Sequence, residues 1–275
     1  MNPHAARQIS PLELWRSIVS NRSLVFNLIK REIIGRYRGS VMGLLWSFFN
    51  PVLMLAVYTF VFSVVFKARW VGGSGSKTEF ALVLFAGLMV FNLFAECINR
   101  APGLVLGNVN YVKKVIFPLE LLPVVAFGAA AFHFLINLLV WILFFCAFFG
   151  VPSPTILWLP IVLIPLVLTT LGFSWFLASL GVFIRDIAQI IGVMTTVLMF
   201  LSPIFYPVEV LPAEYHLFMN LNPLTFVVEQ VRDVMIFSRP FNGFSWFIQL
   251  LLSALVAWLG FAWFQKTRKG FADVL

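Results

Sequence analysis

The side chains in this chain that are able to do chemistry are few, and they do not gather. The 275 residues hold three histidines (His4, His133 and His216) and two cysteines (Cys97 and Cys146). The histidines fall in three stretches kept apart by long apolar runs, so a shared metal site is not expected. Neither cysteine has metal-ligand spacing, no disulfide is expected, and both read as packing residues. Serine, histidine and aspartate occur without the grouping that a nucleophilic triad needs. His133 and Asn137 are one helical turn apart inside an apolar run. A proton relay there would want carboxylates at the same depth, and the run has none, so hydrogen bonding between helices is the better reading. Asn92, Glu96, Asn99 and Arg100 form a polar stripe at the end of another run, where Glu96 and Arg100 can pair at i,i+4. Glu229, Arg232 and Asp233 lie at i, i+3 and i+4. They read as ion pairs that pin a loop, with substrate binding as the alternative.

Two further patterns invite a chemical reading. The stretch GGSGSKT ending at Thr78 looks like a phosphate-binding loop, but such a loop needs glycine immediately before its lysine, and Ser76 precedes Lys77. It reads as a flexible linker. Aromatic residues make up 17% of the chain, 32 of them phenylalanine, and much of this reads as lipid-facing and interfacial. Phe48, Tyr58, Phe62 and Phe66 fall within about 80° of one helical face at about 100° per residue. Such a stripe can pack against neighbours or lipid; it can also stack on the apolar faces of sugar rings.

The elements that must position these residues are apolar helices. The chain is 61% hydrophobic and 11% charged, against about 25% charged in soluble domains, which excludes a soluble fold. Six apolar runs, at 43–66, 80–97, 121–149, 155–183, 187–205 and 244–264, approach or exceed the roughly 20 residues that a membrane span requires. The basic residues are unevenly placed. Arg7, Arg16, Arg22, Lys30, Arg31, Arg36, Arg38, Arg100, Lys113, Lys114, Arg185, Lys266, Arg268 and Lys269 fall on one side of the runs, and only Lys67, Arg69, Lys77, Arg232 and Arg239 on the other. The positive-inside rule puts both termini in the cytoplasm. Topology therefore accounts for the net charge of +8, and no nucleic-acid partner is expected.

The expected fold is all-α and integral to the membrane, with six spans and little room for a soluble module. Residues 1–42 form a cytoplasmic segment, 43–264 the membrane domain and 265–275 a cytoplasmic tail. Within the first segment Trp15, Ile18, Arg22, Phe26 and Ile29 recur near helical spacing and predict an amphipathic helix at the membrane interface, starting at Ser10-Pro11. Between the second and third runs, breaks at Pro102-Gly103 and Gly107 predict a short cytoplasmic helix suited to contacting another protein. Residues 206–243 are too long for a turn and too short in their apolar stretches to span, so a re-entrant or interfacial hairpin at the outer face is expected.

Four stretches together resemble the membrane subunit of ABC-2 type polysaccharide exporters. They are KREIIGRYRGSVMGLLWSFFNPVLML from Lys30, YVKKVIFPLELLPVV from Tyr111, GVFIRDIAQIIGVMTTVLMFLSPIFYPVEVLP from Gly181 and LNPLTFVVEQVRDVM from Leu221. RYRGS and the run into the first span look most like the O-antigen and teichoic acid branch, the O-antigen exporters above all. The resemblance implies a homodimer in the bacterial inner membrane, with lipid-linked polysaccharide passing between the two copies. Two copies of a separate cytoplasmic ATPase would bind ATP and Mg, so this chain would be no enzyme, with no catalytic residue, metal or cofactor of its own. The resemblance further implies an ATPase-coupling helix around Arg100, Ala101, Pro102, Gly103, Leu104, Gly107, Asn108 and Asn110. It implies an outer gate that includes Glu229, Arg232 and Asp233. It assigns channel lining to the first and fifth spans, for which Phe48, Tyr58, Phe62, Phe66, Phe200, Phe205 and Tyr206 are the candidates. Rival readings are an ABC-2 permease for a small drug or lipid, a membrane enzyme acting on lipid-linked sugars, and a secondary transporter. Scarce intramembrane acids disfavour the last two.

Overall fold

A computed structural model describes residues 10–65, 70, 76–113 and 117–275, and they contain helices and turns but no strand. The N-terminal segment is two helices, α1 (Pro11–Ser20) and α2 (Arg22–Tyr37). Ser10 caps α1 as its sequence predicts, accepting from Leu12 N at 3.3 Å, with Pro11 at the first helical position. A 3-10 turn leads into α3 (Trp46–Tyr58), which continues as π-helical turns over Thr59–Val65. Next come α4 (Lys77–Arg100) and the short helices α5 (Gly103–Leu106) and α6 (Val109–Lys113). The expected breaks at Pro102-Gly103 and Gly107 are therefore present. Helix α7 (Leu121–Phe149) ends at Gly150, whose φ of +83° suits glycine alone. The fourth run is divided into a 3-10 stretch (Pro154–Trp158), α8 (Leu159–Val162) and α9 (Ile164–Phe183). The rest is α10 (Ile187–Leu201), α11 (Ala213–Leu221), α12 (Pro223–Met235), α13 (Gly243–Thr267) and α14 (Phe271–Val274).

Among the described residues, five apolar segments are long enough to cross a membrane: Gly43–Phe62, Thr78–Arg100, Leu121–Phe149, Pro154–Phe183 and Gly243–Val274. The expected run at 187–205 is not among them. Its helix α10 has 15 residues, or about 22 Å, short of the roughly 30 Å hydrocarbon core. The helix stops because Ser202 precedes Pro203 and adopts extended backbone.

The core is built around α4. From Phe80 to Ile98 only Asn92 and Glu96 reach the surface. A helix apolar on every side is one that others must surround; α3, α7, α9, α10 and α12 do so. The second large contact is α9 on α13. There a Cβ on Gly260 would lie 2.0 Å from the Gly172 carbonyl oxygen, so the two backbones touch directly. Thr169 Oγ1 donates to Ser253 Oγ at 3.0 Å along the same seam. Small residues and buried hydroxyls hold helices together where lipid offers no hydrophobic drive. The opposite face of α13 exposes Phe244, Phe247, Leu251, Leu255 and Trp258, apolar side chains suited to hydrocarbon.

Candidate functional site

The polar stripe of α4 is a junction of three helices. Arg36 Nη1 of α2 meets Glu96 Oε1 at 2.5 Å, Glu32 of α2 meets Arg100, and Arg100 also faces Glu96 at 3.7 Å. The pairs are crossed, so α2 is fixed against α4 in both register and rotation. Directly after Arg36 at the end of α2, the Tyr37 hydroxyl lies 3.3 Å from His133 Nδ1 of α7, and the rings meet edge to face. His133 thus serves helix–helix bonding, as its surroundings predict; Asn137 forms no such bond among the described residues. Asn99 accepts from Thr195 Oγ1 of α10 at 2.9 Å, which adds a third helix to α4's polar end. A cleft of about 580 Å³ lined by Arg36, Arg100 and His133 opens beneath α2.

The segment expected to contact an ATPase follows directly from Arg100. Ala101 and Pro102 are buried, Leu104 and Asn108 half-buried, and Gly103, Gly107 and Asn110 exposed. Asn108 Nδ2 donates to Leu104 O at 2.9 Å, closing the turn between α5 and α6. Arg31 of α2 donates to the Tyr111 hydroxyl at 3.0 Å. Nearby, Glu120 and Arg268 form a buried ion pair at 2.7 Å, tying the start of α7 to the end of α13. The N-terminal helices, the α5–α6 segment and both of these helix ends therefore meet at one end of the bundle. In α1 and α2, Trp15 and Phe26 are exposed, Arg22 is exposed, and Ile18 and Ile29 are half-buried.

The aromatic candidates separate. Phe66 lies outside the described residues. Thr59–Val65 forms π-helical turns, and Phe48, Tyr58 and Phe62 are all half-buried against the same core. Phe48 meets Phe49 edge-on, and Tyr58 is half-buried against the core. Phe62 instead joins a ladder of rings. Phe200 stacks on Phe205 at 5.7 Å, Phe205 on Phe62 at 5.9 Å, Phe62 lies 5.9 Å from Phe80, and Phe80 lies 5.8 Å from Trp70. Tyr206 donates to the Phe200 carbonyl at 2.9 Å and fixes the ladder's outward end.

The ladder ends on Arg232, whose guanidinium lies 4.4 Å from the Trp70 ring centroid. Ion pairing among Glu229, Arg232 and Asp233 is not what holds this hairpin. Arg232 is buried and has no carboxylate within 4.0 Å among the described residues. It donates through Nε to Val83 O at 3.1 Å, through Nη1 to Pro203 O at 2.5 Å and through Nη2 to Ile204 O at 2.7 Å. The planar fork fits backbone carbonyls better than it fits an acid on its own helix, which projects alongside it. Gly87 makes room, since a Cβ there would lie 2.7 Å from Arg232 Nη2. Asp233 pairs with Arg239 at 3.8 Å instead. Burial lowers the Arg232 pKa to about 9, with Glu229 and Glu209 opposing. Burial likewise raises Glu229 to about 7; Glu209 adds to the rise and Arg232 opposes it.

Sequence reasoning missed Glu32, Arg36 and Tyr37, and also Trp70 and Phe80. The i,i+4 spacing of Glu32 and Arg36 was a usable signal; nothing local marked Trp70. No group of three or more metal-ligating side chains exists among the described residues.

Comparisons with known proteins bear on this architecture. Residues 23–236 match the family model described as ABC-2 type transporter. The chain is 25% identical over 264 residues to the O-antigen export system permease protein RfbA of Myxococcus xanthus, covering 95% of this chain and 99% of that one. It is 26% identical over 261 residues to the protein of the same name in Klebsiella pneumoniae, covering 93% and 97%. It is 24% identical over 245 residues to the polysialic acid transport protein KpsM of Escherichia coli, covering 86% and 91%. A multi-pass helical bundle whose family match runs from α2 through α12 places this chain in the ABC-2 type transporter family.

Proposed function

We propose that this chain is the membrane subunit of an ATP-driven exporter of a lipid-linked polysaccharide of the O-antigen type. Similarity to O-antigen export permeases over nearly the whole length of both chains carries this reading. Two copies form the pathway in the inner membrane, and two separate ATPase subunits bind ATP and Mg and dock on the α5–α6 segment. Both termini are cytoplasmic. This accords with the basic N-terminal helices, Arg100 and Arg268 sitting at one end of the bundle. Helices α1 and α2 lie in the interface, with Trp15 and Phe26 toward lipid. Helix α10, followed by the non-helical residues to Phe205, completes a sixth span. The α11–α12 hairpin is re-entrant and gates the outer face. ATP-driven closure of the ATPases moves α5 and α6, and a path opens between the two copies. Exposed aromatics such as Phe200, 59% exposed in one protomer, then offer stacking surfaces to sugars without demanding fixed hydrogen bonds.

The test is to deplete the chain from its native cell and locate the glycan. Lipid-linked polysaccharide accumulating on the cytoplasmic face is the expected result. Normal surface glycan with no internal pool would remove the polysaccharide reading.

A further inference from the structure

A polar pocket of about 320 Å³ lies apart from the three-helix junction and the aromatic ladder. It sits between the last turns of α1 and the paired ends of α7 and α13. Glu13, Arg16 and Asn21 line one side, Phe261 and Gln265 the other, and Glu120 closes it. Several of its polar atoms are already engaged. Ser17 Oγ donates to Glu120 Oε1 at 3.1 Å, and Asn21 Nδ2 donates to Ser17 O at 2.7 Å. Gln265 differs. It is 3% exposed, and its Oε1 is buried with no hydrogen-bond partner among the described residues. A buried amide oxygen without a donor is costly, and one at the wall of a pocket calls for a donor from a bound group or water.

Position narrows the ligand. Gln265 lies in the last turn of a helix long enough to cross a membrane, and Glu120 directly precedes another. Lys266, Arg268 and Lys269 follow Gln265 in sequence. Beside the pocket, α1 exposes Leu12, Trp15 and Val19. A polar recess at paired helix ends, flanked by exposed tryptophan and aliphatic side chains, matches the headgroup layer of a bilayer. Its chemistry is two-signed, with acceptors at Glu13, Gln265 and the Asn21 carbonyl and a cation at Arg16.

We propose that this pocket binds a zwitterionic phospholipid headgroup with a primary ammonium, of the phosphatidylethanolamine class. The ammonium N–H groups donate to Gln265 Oε1 and to Glu13, and the phosphodiester faces Arg16. The acyl chains lie along Leu12, Trp15 and Val19. A choline headgroup has no N–H to give Gln265. A headgroup with only negative charge sets that charge against Glu13. The bound lipid bridges α1 to the ends of α7 and α13.

The test is thermal unfolding of the purified full chain in detergent with added phosphatidylethanolamine, phosphatidylcholine or phosphatidylglycerol of matched acyl chains. Phosphatidylethanolamine is expected to raise Tm more than the other two. Gln265→Leu and Arg16→Ala are expected to abolish that excess. Gln265→Leu removes the orphan oxygen, so its own Tm in phosphatidylcholine stays at or above the parent's. Equal stabilisation by all three lipids overturns the proposal, as does an excess that survives in Gln265→Leu. The readout is lipid selectivity, not export, so it stands or falls separately from the transport function.

Discussion

One guanidinium fastens the α11–α12 segment to the rest of the molecule. Arg232 satisfies carbonyls at Val83, Pro203 and Ile204, which belong to α4 and to the turn after α10. Arg232→Leu would strand the Pro203 and Ile204 carbonyls, while Val83 O keeps its bond within α4. Each stranded buried group costs about 1–3 kcal/mol, so amide exchange across α11, α12 and the Pro203–Tyr206 turn should rise steeply. Arg232→Lys keeps the charge without the fork and should fall between the two. Unchanged exchange in Arg232→Leu would show that the hairpin is held by packing alone. Glu229 adds a pH dependence to the same hairpin. Its pKa in the fold, about 7, is raised above the ordinary carboxylate range by burial. The folded hairpin therefore binds a proton that the unfolded chain releases. The associated stability is fully present below the unfolded value and is lost as pH rises through about 7. Exchange measured between pH 5 and pH 8 should show protection falling with pH, and Glu229→Gln should flatten that profile.

The helices differ in what holds them. Helix α13 stays against α9 because Gly172 and Gly260 let the backbones touch. Gly260→Leu would drive a side chain into the Gly172 carbonyl, and no flexible side chain is there to yield. Overpacking of this kind costs about 1–3 kcal/mol or more. The expected outcome is loss of monodisperse folded protein on size exclusion, with Gly192→Ala as the control. Gly192 is exposed on α10 and has nothing within 4 Å of its added Cβ. Recovery of Gly260→Leu at the control's yield would contradict the close seam. Helix α10 is held more loosely. Ile190, Val193, Met194 and Val197 leave an exposed apolar face, in keeping with the proposal that a second copy or cargo meets it.

Across the whole bundle, the pairs Glu32–Arg100 and Arg36–Glu96 join α2 to the end of α4 that leads into α5. The pairs are partly exposed, with side-chain exposures from 18% to 50%, and each is worth only about 0.2–1 kcal/mol. Glu32→Arg and Arg100→Glu should each lower Tm, and the double exchange should restore most of the loss. The interaction energy from that double-mutant cycle measures the link; additive single effects would mean that α2 and α4 are not coupled there.

Much of this architecture is written locally. Run length, apolar content and side-chain charge are properties of consecutive residues. For that reason α7, α9 and α13, the breaks at Pro102-Gly103 and Gly107, and the cap at Ser10 were legible without coordinates. Ser202-Pro203 is equally local, and it ends α10 early although the apolar run continues to Phe205. The sites are another matter. Arg36 and Glu96 are 60 residues apart, Glu32 and Arg100 are 68 apart, and Arg232 and Val83 are 149 apart. Which acid or carbonyl an arginine finds depends on how helices cross, and no periodicity within one helix encodes a crossing. The same holds for the ladder from Phe200 to Trp70. Its rings come from α10, the turn after it, the π-helical end of the first span, the start of α4 and the residue at position 70, and packing around α4 alone brings them into line.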